Sequence, residues 1–408
     1  MRKLSAVAMT LCLTASMLAG CGAQNEGNNG ARAGDCGIKF GGVVEQTGSL
    51  QVYGAPATLA MNLLTEDVKA EGGVKVGGRS CSFDTSLVDY RSDPAAVLSS
   101  AQQIAEKGVI AALGPAINGA VARKVWTEGP NKIVTIVTDG ETAADIAAGE
   151  KFPLSFLPFP PGAVSYAASV RRMVAANPGI KRVTIIAPDN DNDNGKVFEQ
   201  VSAKLGLEVS KVVFPAKTTD FSAFLVQVQK TRPDLLIGLN NTEQVKSIFR
   251  QALQMGVARY YLAEHITADD AARLQKGTDA VIGVATNAPS SSTIAPIPAY
   301  DAKALFGDKQ PGFLQDVTVE IYYMGRVLLA AISKAGTVDD AKRIADAVEG
   351  QSWKGPFGTC TVKEAILTCE TNLFTVGRDG ITAYRFPDAE SNEPLAVYGC
   401  KNGSCTEK

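Results

Sequence analysis

The segment APDNDNDNGKVF (187–198) sets aspartates at alternate positions, Asp189, Asp191 and Asp193, as the start of an oxygen-lined calcium loop would. An EF-hand loop needs glycine at its sixth position and a bidentate glutamate at its twelfth. Counted from Asp189, those positions hold Asn194 and Gln200. The preceding RVTIIAP reads as a strand, so the stretch is read as a strand-to-helix turn with Asn and Asp caps, and no metal is expected. His265 is the single histidine; without an HExxH or GxSxG motif it has no hydrolytic partners. GPAINGA (114–120) lacks the Lys-Ser/Thr ending of a phosphate loop. A hydrolase with paired carboxylates would need two acids at a set separation, which no spacing here specifies. No catalytic residue and no cofactor is expected, and the chain is read as a non-enzyme.

Of the eight cysteines, Cys12 and Cys21 lie near the N-terminus, which leaves Cys36, Cys81, Cys360, Cys369, Cys400 and Cys405. Zinc is disfavoured because there is no CxxC pair and one histidine. Six cysteines allow fifteen connectivities, and local geometry favours one. CKNGSC carries Asn-Gly at its centre, a two-residue hairpin signal. Cys360 and Cys369 bracket another short hairpin-like segment. Cys36 and Cys81 open strands that could lie side by side. Three disulfides are expected, which requires an oxidising compartment.

The N-terminus agrees. Arg2 and Lys3 precede the apolar run LSAVAMTLCLTASMLAG, which is marginal for a membrane span and has the layout of a secretory signal. Leu18-Ala19-Gly20-Cys21 is the bacterial lipobox pattern, in which the cysteine is lipidated. Residues 1–20 are read as a lipoprotein signal peptide and 21–35 as a flexible tether, reaching about 20 Å. Loss of residues 1–20 leaves 38 Lys+Arg against 42 Asp+Glu, a balance of −4. No basic block stands out, so no nucleic-acid partner is expected.

The elements that must position any site alternate. GIKFGGVV, SCSFDTSLVDY, VIAALG, KIVTIV, RVTIIAP, VSKVVF, DLLIGL, YYLAE and AVIGVA read as strands. Amphipathic stretches such as ATLAMNLLTEDVKA, DFSAFLVQVQK and TEQVKSIFRQALQMG lie between them. Strands alternating with helices of this length indicate βαβ units and parallel sheets. About 370 residues exceed one typical core, so the fold class expected is α/β, with two doubly wound parallel-sheet lobes. In open α/β sheets ligands bind beyond the carboxyl ends of strands. The loops there are EQTGSLQVYG (45–54), GPAINGA, TDGETAAD (138–145), PDNDNDNG (188–195), NNTEQ (240–244) and EHITADD (264–270). Trp126 and Trp353 are read as structural.

The order of these pieces resembles a known family, the solute receptors related to the leucine/isoleucine/valine-binding protein. The matching segments are TGSLQVYG, AEGGV, VDYRSDPAAVLSSAQQIAEKGVIAALGP, KRVTIIAPDNDNDNGKVF, TTDFSAFLVQVQKTRPDLLIG, FRQALQMGV and FTVGRDGITAY, over roughly residues 37–387. The resemblance implies a type I periplasmic-binding fold, two lobes joined by three hinge strands and closing on a solute. It implies an N-terminal lobe of 36–157 plus 288–352 and a C-terminal lobe of 158–287 plus 353–408. It implies delivery of a small-molecule solute to an ABC permease in the cytoplasmic membrane, from a monomer lipid-anchored outside the cytoplasm. A sensory lipoprotein presenting its bound form to a membrane receptor is the alternative, ahead of a hydrolase.

Carried over residue by residue, Tyr53 sits where the family has a cleft aromatic. Ala116, Ile117 and Asn118 lie in the loop that usually grips an amino-acid carboxylate with a serine; Asn118 replaces that serine. Asp139, Gly140 and Glu141 fall where small residues and threonine usually serve the same carboxylate. Asn194 replaces a common aromatic, Asn240 or Asn241 falls in another cleft loop, and Glu264 or His265 stands where an acid usually pairs with the ligand ammonium. Acids at 139 and 141 would repel a carboxylate, so a polar solute, cationic or amide-bearing, suits this lining better than a branched aliphatic amino acid.

Overall fold

The computed structural model describes residues 36–408, apart from 148, 191–193, 240–241, 264–265, 287 and 310–314. The first six strands are β1 (Gly37–Val44), β2 (Val74–Val76), β3 (Arg79–Asp89), β4 (Ala111–Leu113), β5 (Val134–Ile136) and β6 (Ser155–Phe156). They form one sheet in the order β2-β3-β1-β4-β5-β6, parallel except at β2. The helices between them are α1 (Gln51–Ala70), α2 (Val97–Ala105), α3 (Gly119–Glu128) and α4 (Gly140–Ala147). Ala57, Ala60, Met61, Leu64 and Val68 make one apolar stripe of α1, buried with Ile38, Phe40 and Val44 of β1. Val43 instead packs with Val97, Ile104 and Trp126 of α2 and α3. The alternation of strand side chains thus builds a core on each face. Trp126 is structural, donating to Ala101 O at 2.9 Å.

After α5 (Gly162–Ala176) come β7 (Arg182–Pro188), α6 (Asn194–Lys204), β8 (Glu208–Phe214), α7 (Ser222–Thr231), β9 (Leu235–Gly238), α8 (Thr242–Gln254), β10 (Tyr260–Ala263), α9 (Ala268–Gln275) and β11 (Val281–Thr286). The chain then supplies α10 (Ala302–Phe306), α11 (Gln315–Ala335) and α12 (Ala341–Val348). Seven strands end it: β12 (Ser352–Gly355), β13 (Gly358–Lys363), β14 (Ile366–Thr368), β15 (Thr371–Gly377), β16 (Gly380–Phe386), β17 (Ala396–Lys401) and β18 (Ser404–Glu407). The second sheet runs β18-β17-β16-β15-β11-β10-β9-β7-β8, and β12-β13-β14 form a small third. The parallel, doubly wound α/β class expected from the alternation is present in both large sheets, with an antiparallel extension of the second.

The segment Ser352–Thr368 departs from the partition read from sequence, which put 353 onward with the second lobe. Trp353 packs edge-on against Tyr323 of α11, and the Phe357 amide donates to the Tyr323 hydroxyl at 2.7 Å. α11 in turn lies on α1, with Arg326 paired to Glu71. This short antiparallel sheet therefore belongs with the layers of the first sheet, and β15 is where the chain rejoins the second.

All three disulfides pair as expected: Cys36–Cys81, Cys360–Cys369 and Cys400–Cys405. The first ties the residue before β1 to the parallel β3, the second ties β13 to the residue after β14, and the third closes the β17–β18 hairpin. In that last turn Asn402 and Gly403 both have positive φ, 52° and 74°, the geometry for which Asn-Gly is selected in two-residue hairpins.

Candidate functional site

Four adjacent strands of the first sheet end at one edge. Glu45 follows β1, Tyr90 follows β3, Ala116 lies just after β4 and Asp139 just after β5. Parallel strands put their carboxyl ends together, with the N-termini of α1, α3 and α4 beside them, so this edge gathers backbone donors and polar side chains. Glu45 is only 3% exposed. Its Oε1 accepts the Tyr90 hydroxyl at 2.7 Å and the Ala116 amide at 2.6 Å, binding three strand ends together. Burial pushes the Glu45 carboxyl above its ordinary value, opposed by those two hydrogen bonds. Burial, and then the Glu45 carboxylate, push the Tyr90 phenol far up.

Asp89, next to Tyr90, is of the opposite kind. Its Oδ1 accepts the Gln46 and Arg91 amides at 3.0 and 2.8 Å, and its Oδ2 the Thr47 hydroxyl at 2.6 Å. Partial burial works against ionisation, yet these donors outweigh it and hold the carboxyl below its ordinary value. Ser92 then takes the Leu50 amide and donates to Thr47 O.

The residues anticipated from sequence are distributed unevenly. Tyr53 is half-buried in the first turn of α1 rather than in a loop, and burial lifts its phenol. Just before α1, the Leu50 amide donates to Ser92 Oγ, from beyond β3, at 3.0 Å. Asn118 caps α3 with φ 54° and donates from Nδ2 to Pro94 O at 3.3 Å. Ala116 is half-buried and Ile117 exposed. Asp139 is 3% exposed and caps α4, its Oδ1 accepting the Thr142 amide at 2.7 Å. Burial raises its carboxyl above the usual range, against that bond. A Cβ on Gly119 would stand 2.0 Å from Asp139 Oδ2, so glycine is required for the carboxylate to approach α3. Gly140 and Glu141 are exposed and already helical. The edge thus brings together Ala116, Asn118 and Asp139 with Glu45, Tyr90 and Asp89, three residues that the sequence reading did not single out. The only signal for Glu45 is an acid directly after a strand end of buried valines, Val43-Val44.

At the corresponding edge of the second sheet, Asn194 opens α6. Asp191, Asp193, Asn240, Asn241, Glu264 and His265 lie outside the described residues, as does Cys21. Asp189 is structural: its Oδ1 accepts the Ala216 amide at 3.0 Å, closing the turn after β8. Among the described residues no cluster of three or more His, Cys, Asp or Glu could hold a metal. None of their helices is long and apolar enough to cross a membrane.

A groove of about 1210 Å³ lies elsewhere, lined by Arg259, Asp279, Arg378 and Lys401 among others. Ala258, Arg259 and Ala280 precede β10 and β11, so the groove sits at the amino ends of the parallel strands. That is the edge opposite to where helix N-termini point, and Arg378 is paired with Asp279 at 2.9 Å.

The two sheets are joined by three crossings. Leu157, after β6, bridges Ile366 of β14 in parallel. The segment after β11 is held by Asn372, whose Oδ1 accepts the Ser290 amide at 2.8 Å. Glu370, on the third crossing, accepts the Tyr300 hydroxyl at 2.8 Å and the Nε and Nη2 groups of Arg385.

Comparison with solved structures returns this architecture. A substrate-binding protein of an ABC transporter from Sphaerobacter thermophilus is 18% identical, with a TM-score of 0.71, covering 86% of this chain and 98% of its own. A leucine-binding protein from Thermotoga maritima is 18% identical, with a TM-score of 0.65, at 84% and 97% coverage. A solute-binding protein from Rhodopseudomonas palustris BisB5, in complex with 3,4-dihydroxybenzoic acid, is 21% identical, with a TM-score of 0.64, at 87% and 98%. The fold is the type I periplasmic-binding fold that the sequence resemblance implied. A family model described as periplasmic binding protein matches residues 37–372, most of the chain. The chain is therefore a member of the periplasmic binding protein family.

Proposed function

We propose that this protein is the lipid-anchored, extracytoplasmic receptor of an ABC permease, capturing one small polar solute between two lobes. The lobes are built on the two large sheets and turn about the three crossings. The observation that carries the reading is the edge at which Glu45, Tyr90, Ala116 and Asp139 converge from four consecutive strand ends. Such an edge, with helix N-termini and few cations, offers donors and acceptors to a small ligand without offering a nucleophile. Tyr53, Asn118 and Asp139 contribute from the first lobe, and Asn194, Asn240 and Glu264 from the second. Asparagine supplies both a donor and an acceptor, so the lining reads an amide or hydroxyl pattern. Cys21 carries the anchor, with residues 21–35 as tether.

A thermal-shift screen of amino acids, amides, polyamines, aromatic acids and sugars tests the binding reading. A ligand at about 100 times its Kd adds about 2.7 kcal/mol of apparent stability, and it is recovered unchanged after incubation. A chain that no compound stabilises, or that consumes the one that does, refutes the reading. Cys21→Ser releases the protein from membranes, since a single residue bears the anchor; retention after a salt wash removes the lipoprotein claim alone.

A further inference from the structure

Glu45 is held as a bound anion would be held. Its Oε1 takes the Ala116 amide, at the turn that opens α3, and the Tyr90 hydroxyl beside it. The donors best placed to receive a carboxylate at this edge are thereby spent on the chain's own carboxylate. Neither hydrogen bond goes to Oε2, although the residue is only 3% exposed, and the one further donor to this carboxyl is the amide of Glu45 itself. Among the described residues no cation pairs with Glu45, Asp89 or Asp139. At the far end of the same turn Asp139 Oδ2 lies against Gly119.

We propose that Glu45 is the specificity-determining residue of the solute site: it stands in for a ligand carboxylate at the Ala116 and Tyr90 donors. The site then rejects a solute carboxylate there and takes an ammonium or amide group on Oε2. This rests on the solute-binding reading above. A second carboxylate would find like charge and the Ala116 and Tyr90 donors already taken, whereas an N–H group finds a charged acceptor away from water, where such bonds are strongest. Selectivity by an internal repulsive group is as effective as selectivity by an added attraction.

The test uses the purified full-length chain, Glu45→Gln and Glu45→Ala. The glutamine keeps an oxygen for Tyr90 and Ala116, so it preserves the fold; the alanine empties the position. Matched probes are leucine against leucinamide and benzoate against benzamide and benzylamine, read by calorimetry. The wild type is expected to favour the amide or amine member by at least about tenfold, and Glu45→Gln to lose that preference. In a separate arm, about 50 mM sodium acetate, against matched sodium chloride, raises the melting temperature of Glu45→Ala and leaves the wild type unchanged, because acetate refills the vacated donors. An acid probe that binds the wild type as tightly as its amide overturns the proposal. So does acetate that shifts both proteins equally or neither. The acetate arm needs no solute, so a chain that binds nothing in the larger screen refutes the receptor reading while acetate still decides this one.

Discussion

Replacing Glu320 should make the protein more stable, and increasingly so as the pH rises. Glu320 lies on α11, 1% exposed, and neither of its carboxylate oxygens has a hydrogen-bond partner. Burial first, and Asp316 one turn earlier second, push its carboxyl well above the ordinary 4.5. A buried polar group without a partner costs about 1–3 kcal/mol, and replacing it with an apolar group of similar shape recovers much of that. Methionine is the natural substitute, because it is unbranched and adapts to irregular space. With an unfolding entropy of about 2 cal/mol/K per residue, that gain raises the melting temperature by about 1–4 °C if the folded residues unfold as one unit. The sign with pH follows from proton linkage. Above 4.5 the unfolded chain has lost this proton while the folded chain keeps it, so the folded state binds more protons and stability falls as pH rises. Glu45 and Asp139 are raised in the same direction, but they are common to both proteins and cancel in the difference. The assay is chemical denaturation of wild type and Glu320→Met at several pH values from 4 to 9. A gap that stays constant with pH, or a variant less stable than wild type at pH 8, would refute the reasoning.

Two other outcomes are expected. The Cys36–Cys81 bridge closes 45 residues and Cys400–Cys405 only five; on loop entropy their removal costs about 4 and about 2 kcal/mol. Double Ser variants unfolded in urea should rank in that order, and a reversed order would show that native-state effects dominate. Asn118 holds φ 54°, where alanine costs about 1–2 kcal/mol and glycine nothing. Asn118→Ala should therefore lose stability that Asn118→Gly keeps, while both weaken a solute by about 1–3 kcal/mol. Unchanged affinity in the glycine variant, by calorimetry, would remove Asn118 from the site.

The parts of the fold that were legible in the sequence are those set by local rules. GIKFGGVV and RVTIIAP are buried runs of strand length, and each is a strand. Asn402-Gly403 announces its turn, and with it the pairing of Cys400 with Cys405. What local rules miss is set by partners far along the chain. Glu45 meets its donors 45 and 71 residues later, and no pattern around Glu45 announces either. Leu50, the residue before α1, donates its amide to Ser92, 42 residues on. Ser352–Thr368 docks on Tyr323, a contact no local pattern announces, because a short antiparallel sheet looks the same in sequence wherever it docks. Asp139 was anticipated as a ligand contact by position; its helix-capping bond to Thr142 shows that one carboxylate oxygen already has a structural task.

That division of labour within one side chain recurs at the first-sheet edge and bears on how such a site stays ordered without a ligand. Glu45 and Asp139 each commit one oxygen to the backbone of a neighbouring element, and Asp89 commits Oδ1 to backbone amides and Oδ2 to the Thr47 hydroxyl. The carboxylates are therefore fixed in place by chain donors, and on the proposed reading little side-chain entropy remains to be lost when a solute binds. The crossings between the sheets are built on the same principle. Glu370 is gripped by Arg385 and Tyr300, and Asn372 reaches the Ser290 amide. Those bonds tie the second and third crossings to the segments around them, so in the proposed two-lobe closure they set where the chain bends.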